Sequence, residues 1–350
     1  MLFLPAKGIQ PDISFEGDTL IVPVVSTGNI GQLAVDLFLS SGRVESPPLV
    51  EKVGYLDSDR VAPAAGYEVF GPGQPPVLCV NLELHRFAKS GVTVLQQRGA
   101  VLAGEERAFA ADLVKWARKS GFKDILALTG ADAAEGLDPT PIGRGGMKRF
   151  RAGTSVGASR PQSPEPCALE EALSGAGIGA FDVAGVMRGG WESLMAAPMG
   201  GGSLDAPGGV PPEGGVGLGA AGGGDGEEDE ESALATAMAM TGRQAESALP
   251  SLPPLPSGTG VAGHLCTEAS SSAPEEEGTG ATPPLVVLLR FCGEGDNTPE
   301  AIEVAQAVNA SLKLLPGGDG QGASPGEVRW SSPLSWASLY GPPPSSDAYQ

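Results

Sequence analysis

Histidine is nearly absent from these 350 residues: His85 and His264 are the only two. His264 falls in a stretch too poor in apolar side chains to fold, so neither an imidazole-built metal site nor a Ser-His-Asp triad is expected. Cysteine is scarce as well. Cys79, Cys167, Cys266 and Cys292 are widely spaced and form no C-x-x-C pair. That spacing disfavours zinc ribbons and thioredoxin-type redox sites, and it predicts reduced thiols in a reducing compartment. Basic residues number 22 against 42 acidic ones, for a formal charge of −20. Such a balance argues against nucleic acid and anionic membranes as partners. No apolar run approaches the ~18 residues of a membrane span. Met1 to Lys7 is too short for a signal peptide and lacks its basic start. The expected location is the cytoplasm and nucleus. The turn Gly28-Asn29-Ile30-Gly31 lacks the G-x-G-x-x-G spacing of a dinucleotide site and the lysine of a P-loop, and Ser26 beside it sits in no G-x-S-x-G elbow, so no cofactor is expected.

Glycine and proline, by contrast, are abundant, at 53 and 32 residues. Together they make about a quarter of the chain, near the level where low complexity begins. They cluster between Pro198 and Pro284. That span holds the Gly-rich tract Gly200–Gly224, the acidic run Asp225–Glu231, a Pro-rich patch near Leu249–Pro256, and Glu275–Glu277. Its apolar content is too low to offset the entropy of ordering. Residues 198–283 therefore read as a disordered Gly/Pro/acidic insert, whose replacement by a short linker should leave the fold intact. Residues 1–197 and 284–341 then form a single α/β domain, and 342–350 a flexible C-terminal tail.

The domain is organised around Thr19 to Phe38. Leu20 to Val25 is an apolar, β-branched run that reads as a buried strand. Pro23 inside it points to an edge or a bulge, because proline has no N–H for a ladder. Ser26-Thr27-Gly28-Asn29 is a tight turn. Asn29 is placed to cap the next helix, with Gln32 completing a capping box. Ile30, Leu33, Ala34, Leu37 and Phe38 then mark one apolar helix face.

Further strands are expected at Lys52–Leu56, Val77–Leu84, Val92–Gln97 and Asp124–Thr129, with a surface loop over Asp57–Pro76. A helix near Glu105–Ser120 has acids at its start, bases at its end and Gly121 as a stop. Leu169–Leu173 reads as a short helix. Leu285–Phe291 is a buried strand, and Thr298-Pro299-Glu300 opens a helix with Ala301, Val304, Ala305, Val308 and Leu312 on its apolar face. Trp330, Trp336, Leu339 and Tyr340 suggest a packed C-terminal segment. Alternating strands and helices predict a three-layer α/β/α sandwich.

The chemistry is sparse. Gly28-Asn29-Ile30-Gly31 could cradle a phosphate at a helix start, but a structural turn fits its spacing better. Asp57, Asp59, Asp132 and Asp138 follow strands, where an α/β enzyme places its acids. None has an identifiable partner base. Two alternatives stay open: an enzyme acting on a nucleoside or similar small molecule, and a scaffold working through its acidic insert.

Several blocks nevertheless share the order of one known family. Leu20 to Leu37, with Ser26, Gly28, Asn29, Gly31 and Gln32, resembles the N-terminal signature of the proteasome assembly chaperone 2 family. Lys52–Leu56 and Ile125–Thr129 with Thr140-Pro141 continue the likeness. Phe291-Cys292-Gly293-Glu294-Gly295-Asp296-Asn297-Thr298-Pro299 resembles its second signature, and Arg329-Trp330, Pro333, Ser335-Trp336, Leu339 and Gly341 its end. The insert departs from the family. The resemblance implies a fold like that of nucleoside phosphorylases without their activity, and no enzyme function. It implies a heterodimer with proteasome assembly chaperone 1 that holds 20S proteasome α-subunits during α-ring formation and blocks off-pathway α-ring dimers. It also implies a docking tail, a hydrophobic residue, Tyr and one more residue, which Ala348-Tyr349-Gln350 matches with a small hydrophobe.

Overall fold

A strand whose side chains are all apolar or β-branched can bury both faces, and Thr19–Pro23 does so along its whole length. In the computed structural model the described residues are 1–69, 75–133, 147–152, 166–180, 255–256, 258–271, 281–293, 295–317 and 328–338. The strands are β1 (Leu2–Pro5), β2 (Thr19–Pro23), β3 (Glu51–Asp57), β4 (Ala65–Glu68), β5 (Val77–Val80), β6 (Glu83–Phe87), β7 (Val92–Gln96), β8 (Asp124–Asp132), β9 (Met147–Arg151), β10 (Gly179–Ala180) and β11 (Leu285–Cys292). The helices are α1 (Ile30–Val44), α2 (Glu106–Lys119), α3 (Ala168–Gly175), α4 (Ala262–Ser270) and α5 (Thr298–Leu312).

Nine of these strands form one mixed sheet, in the order β1-β3-β6-β7-β2-β8-β11-β9-β10, and β4 and β5 form a separate ribbon. The centre, β7-β2-β8-β11, is parallel, and antiparallel pairs flank it on both sides. Side chains alternate across this centre. Leu20, Val22, Ile125, Ala127 and Val287 pack with α2 and α4. Ile21, Leu126, Leu128, Val286 and Leu288 pack with α1, α3 and α5. Helices on both faces make the expected three-layer α/β/α sandwich.

Four expectations need correction. First, β2 is the central strand, not an edge or a bulge. Pro23 is tolerated there because N–H groups alternate along a strand. Val24 donates to the Leu128 carbonyl at 2.8 Å, so the missing Pro23 N–H would face β7, where pairing has already ended at Ile21 and Val94. Second, no capping box forms. Asn29 lies in the left-handed region at φ 51 and its side chain caps nothing, while Gln32 reaches across to the Gln97 carbonyl. At α5 the N-cap position is Asn297, which makes no side-chain cap bond, and Asp296 just before it accepts from Thr298 N with Oδ1 at 2.9 Å.

Third, Val77–Leu84 is not one strand. The chain reverses through Leu82, at φ 56, and continues as β6 in the main sheet. The loop expected before it contains β4, which pairs with β5. Fourth, residues 258–271 belong to the domain and not to a disordered insert. Ala262, Leu265 and Cys266 of α4 are buried against the α2 side of the sheet. α4 is short and its alanine, glycine, serine and threonine blend into the flanking composition, which hid its apolar positions. Burial pushes the Cys266 thiol up to about 12.

Trp330 and Trp336 pack on the α1–α5 side, with Trp330 edge-on to Phe38 at 5.9 Å. Leu339 and Tyr340 lie outside the described residues.

Candidate functional site

The first signature turn lies where β2 ends and α1 begins, at the C-terminal end of the parallel strands. Its backbone is fixed from three sides. Ser26 Oγ accepts from Gly130 N at 2.8 Å and donates to Val24 O at 3.1 Å. Thr27 N donates to Gly258 O at 2.9 Å, and Cys292 Sγ lies 3.3 Å from Thr27 O. Gly28 has φ 69, and a Cβ there would stand 2.8 Å from Cys292 Sγ and 2.9 Å from Asn297 Nδ2. A Cβ at Gly31 would stand 2.4 Å from Leu128 O. These glycines are required by close approach, not by turn geometry alone.

The second signature is the loop from β11 into α5. Buried Asn297 ties it by donating to the carbonyls of Gly293 and Gly295, each at 3.1 Å. Gly295 and Asp296 are exposed. The structure thus brings Gly28 against Cys292 and Asn297, so two motifs some 260 residues apart meet in direct contact. Thr27 N and Asn29 N donate within the fold, to Gly258 O and Ser26 O. Neither is free to hold a phosphate, which favours the structural-turn reading.

Other expected positions scatter. Asp57 sits in β3 near one edge of the sheet, opposite Leu2, while Asp132 ends β8 in the centre. Among the described residues no group of three His, Cys, Asp or Glu is arranged to hold a metal ion. None of their helices is long and apolar enough to cross a membrane. Asp138, Glu294 and the tail Ala348-Tyr349-Gln350 lie outside the described residues.

Sequence reasoning missed two polar networks. In the first, a cleft of about 370 Å³ opens beside the signature turn. The start of α1, the end of β7, the β4–β5 ribbon and the turn at Leu334–Ser338 enclose it. Buried Asp36 accepts from Gln96 Nε2 at 2.8 Å, Arg98 Nη1 at 3.2 Å and Trp336 Nε1 at 3.4 Å. Burial raises its carboxyl and the Arg98 charge works against that rise. Glu68 Oε2 accepts from Ser335 Oγ at 2.9 Å. The available signal was Gln96-Gln97-Arg98, polar residues closing an otherwise apolar strand.

In the second, fully buried His85 lies between Arg43, 3.2 Å from Nδ1, and Glu83, 3.3 Å from Nε2, while Lys52 Nζ holds Glu83 at 2.8 Å. Burial lowers His85 to about 4, so the ring is neutral. Burial would raise Glu83, but hydrogen bonds with His85 and Lys52 outweigh it and bring the carboxyl down to about 2. The unfolded chain takes up the imidazole proton near 6.5 and the folded one only near 4. Stability should therefore fall as pH drops from 6.5 to 4, and fall again from 4.5 towards 2 as Glu83 protonates. Urea midpoints measured across the first window should decline for the wild type and stay flatter for His85→Gln. Equal slopes would remove His85 as the source.

The sandwich and its interlocked signatures define an α/β domain whose Gly28–Gly31 segment is a packed structural junction. A sequence profile described as the PAC2 family matches residues 20–274, well over half of the chain. The chain belongs to this family, and the resemblance drawn from its motifs is borne out. Relatives named proteasome assembly chaperone 2 align with it. The one from Danio rerio is 25% identical over 334 residues, covering 94% of this chain and 93% of its own. The one from Nematostella vectensis is 29% identical over 139 residues, 39% of this chain and 55% of its own. A solved structure of Pyrococcus furiosus PbaA, described as an archaeal homolog of proteasome-assembly chaperone, aligns at 14% identity and a TM-score of 0.44. That alignment covers 87% of this chain and 84% of the other.

Proposed function

We propose that this chain is a proteasome assembly chaperone and not an enzyme. Paired with proteasome assembly chaperone 1, it holds 20S proteasome α-subunits in the cytoplasm and nucleus while the α-ring forms, and it blocks off-pathway α-ring dimers. The observation that carries the reading is the near full-length alignment with a relative of that name. Exposed apolar side chains fit a protein that works through its surface. Tyr67 is 73% exposed and faces Leu78, at 52%, across the β4–β5 ribbon. Clustered exposed apolar side chains of this kind mark interaction surfaces.

Co-expression with proteasome assembly chaperone 1, followed by affinity capture, should yield a stable pair burying at least ~1,200 Å². Captured α-subunits should accompany it. A monomer that binds neither would end this reading. Stabilisation by phosphate or nucleosides in a thermal-shift screen would instead favour the enzyme alternative.

The tail gives a separable prediction. Consecutive prolines favour an extended chain, so a spacer at Pro342-Pro343-Pro344 is expected to hold Tyr349 away from the domain. Tyr349→Ala, or removal of the last three residues, should weaken α-ring binding by about 2 kcal/mol, some thirtyfold. The melting temperature and the heterodimer should be unchanged. Equal α-ring affinity in both variants would leave docking to the folded surface alone.

A further inference from the structure

The nine-stranded sheet ends on one side in β1, which pairs with β3 alone among the described strands. Ala6 N donates to Val53 O at 3.0 Å and continues the same antiparallel register. Hydrogen-bonded and non-hydrogen-bonded pairs alternate along such a ladder, so Leu2, Leu4 and Ala6 point their backbone groups at β3. Phe3 and Pro5 point theirs outward, where no described residue pairs with them. Folds commonly blunt an edge with charge, extreme shortness or a covering segment. The opposite edge, β10, is two residues long. β1 is four residues long, no charged side chain occurs from Met1 to Ala6, and Leu2, Leu4 and Pro5 are exposed.

The side chains carry the second half of the pattern. Phe3 turns into the core, edge-on to Phe15 at 5.3 Å, and fixes the strand. Leu2 and Leu4 therefore share the other face, at 61% and 43% exposure. This edge is complementary to itself. When two copies meet antiparallel about a twofold axis at Phe3, each Phe3 N–H donates to the other's Phe3 carbonyl. Leu2 of one copy then lies opposite Leu4 of the other in a non-hydrogen-bonded pair, where side chains stand closest. Met1 N meets the second copy's Pro5 carbonyl, so the N–H that Pro5 lacks costs one bond on each side and leaves the centre intact. Such a twofold contact uses up both edges and closes on itself.

We propose that β1 pairs edge to edge with the β1 of a second copy of this chain, antiparallel and centred on Phe3, so that one sheet runs through both copies. So short a contact buries less than the ~1,200 Å² of a standard interface, and the dimer is weak and reversible. The formal charge of −20 on each copy opposes it, and salt screens that repulsion. The inference is read from the sheet edge and stands apart from the proteasome reading.

The test is sedimentation velocity of the full-length protein, alone, at rising concentration. It should pass reversibly from monomer to dimer, and more readily at high salt than at low salt. Leu4→Lys should weaken the dimer at least about tenfold, because a charge on the edge blocks pairing. Leu102→Lys is the matched control, since Leu102 is 42% exposed on the segment between β7 and α2, and it should leave the dimer unchanged. Cross-linking reads the register. Non-hydrogen-bonded partners stand ~4.5 Å apart at Cα, within disulfide reach, whereas the two copies of one leucine lie on the diagonal, beyond it. An equimolar mixture of the Leu2→Cys and Leu4→Cys proteins should therefore give a disulfide-linked dimer under mild oxidation. Neither variant by itself should do so, nor should the wild type. If Leu4→Lys fails to fold, the cross-linking mixture decides. A monomer at every concentration, a dimer that folded Leu4→Lys leaves intact, or cross-linking of either variant by itself as fast as of the mixture would overturn the proposal.

Discussion

Replacing Gly130 by alanine is expected to break the junction between the sheet and the first signature turn. A Cβ at this position would stand 2.0 Å from the Thr27 carbonyl oxygen and 3.1 Å from Cys292 Sγ. The Thr27 oxygen is backbone, and its own turn is tied to Gly258 and to Cys292, so it has nowhere to retreat. The Gly130 N–H is also the donor that Ser26 Oγ accepts, and moving β8 away would strand both groups. Overpacking a core with a movable neighbour costs about 1–3 kcal/mol, so a clash with fixed backbone should cost ~3 kcal/mol or more. Gly293→Ala is the matched control. It lies on the second signature beside Cys292, yet a Cβ there meets nothing within 4 Å. Urea denaturation should show a large fall in midpoint for Gly130→Ala and almost none for Gly293→Ala. Equal midpoints would mean that the two signatures do not interlock as described.

How far this architecture could be read in advance depended on whether a signal was local. β2, α1, α2, β8, β11 and α5 carry strong apolar periodicity, and their existence and order follow from it. β9 did not, because Met147-Lys148-Arg149-Phe150-Arg151 interleaves three basic residues with two buried apolar ones and has a polar composition. β6 was merged with β5, since the reversal at Leu82 uses no glycine or proline. The contact of Gly28 with Asn297 is a tertiary event, and no spacing along the chain encodes it. The cleft is less legible still. Asp36 looks like a solvated helix position, and only the packing of Trp336 and Arg98 over it makes it buried. Motif order pointed to the family, while the burial of Asp36 and Glu68 beside the cleft arises only from the folded packing.

The second large effect concerns α4, the helix concealed within the low-complexity span. Leu265 is fully buried and packs in the cluster that includes Phe109, Leu113 and Trp116 of α2. Arg107 reaches Glu268 at 3.2 Å, but that pair is half exposed on the arginine side and adds little. The apolar contacts therefore hold α4 in place. Leu265→Ala should cost about 2–5 kcal/mol, the range for emptying a fully buried leucine site. Leu265→Asp would bury an unpaired carboxylate and should abolish cooperative unfolding. Two deletions make the same point at a larger scale. Replacing 198–254 by a short Gly/Ser linker leaves α4 in the chain, and loop length changes stability by only about 0.6 kcal/mol per doubling. Replacing 198–283 removes α4 and uncovers the part of the sheet face that α2 does not cover. The first protein should melt cooperatively near the wild-type temperature, and the second should not. A cooperative, wild-type-like melt from the 198–283 deletion would show that α4 contributes nothing to the core and that the domain closes without it.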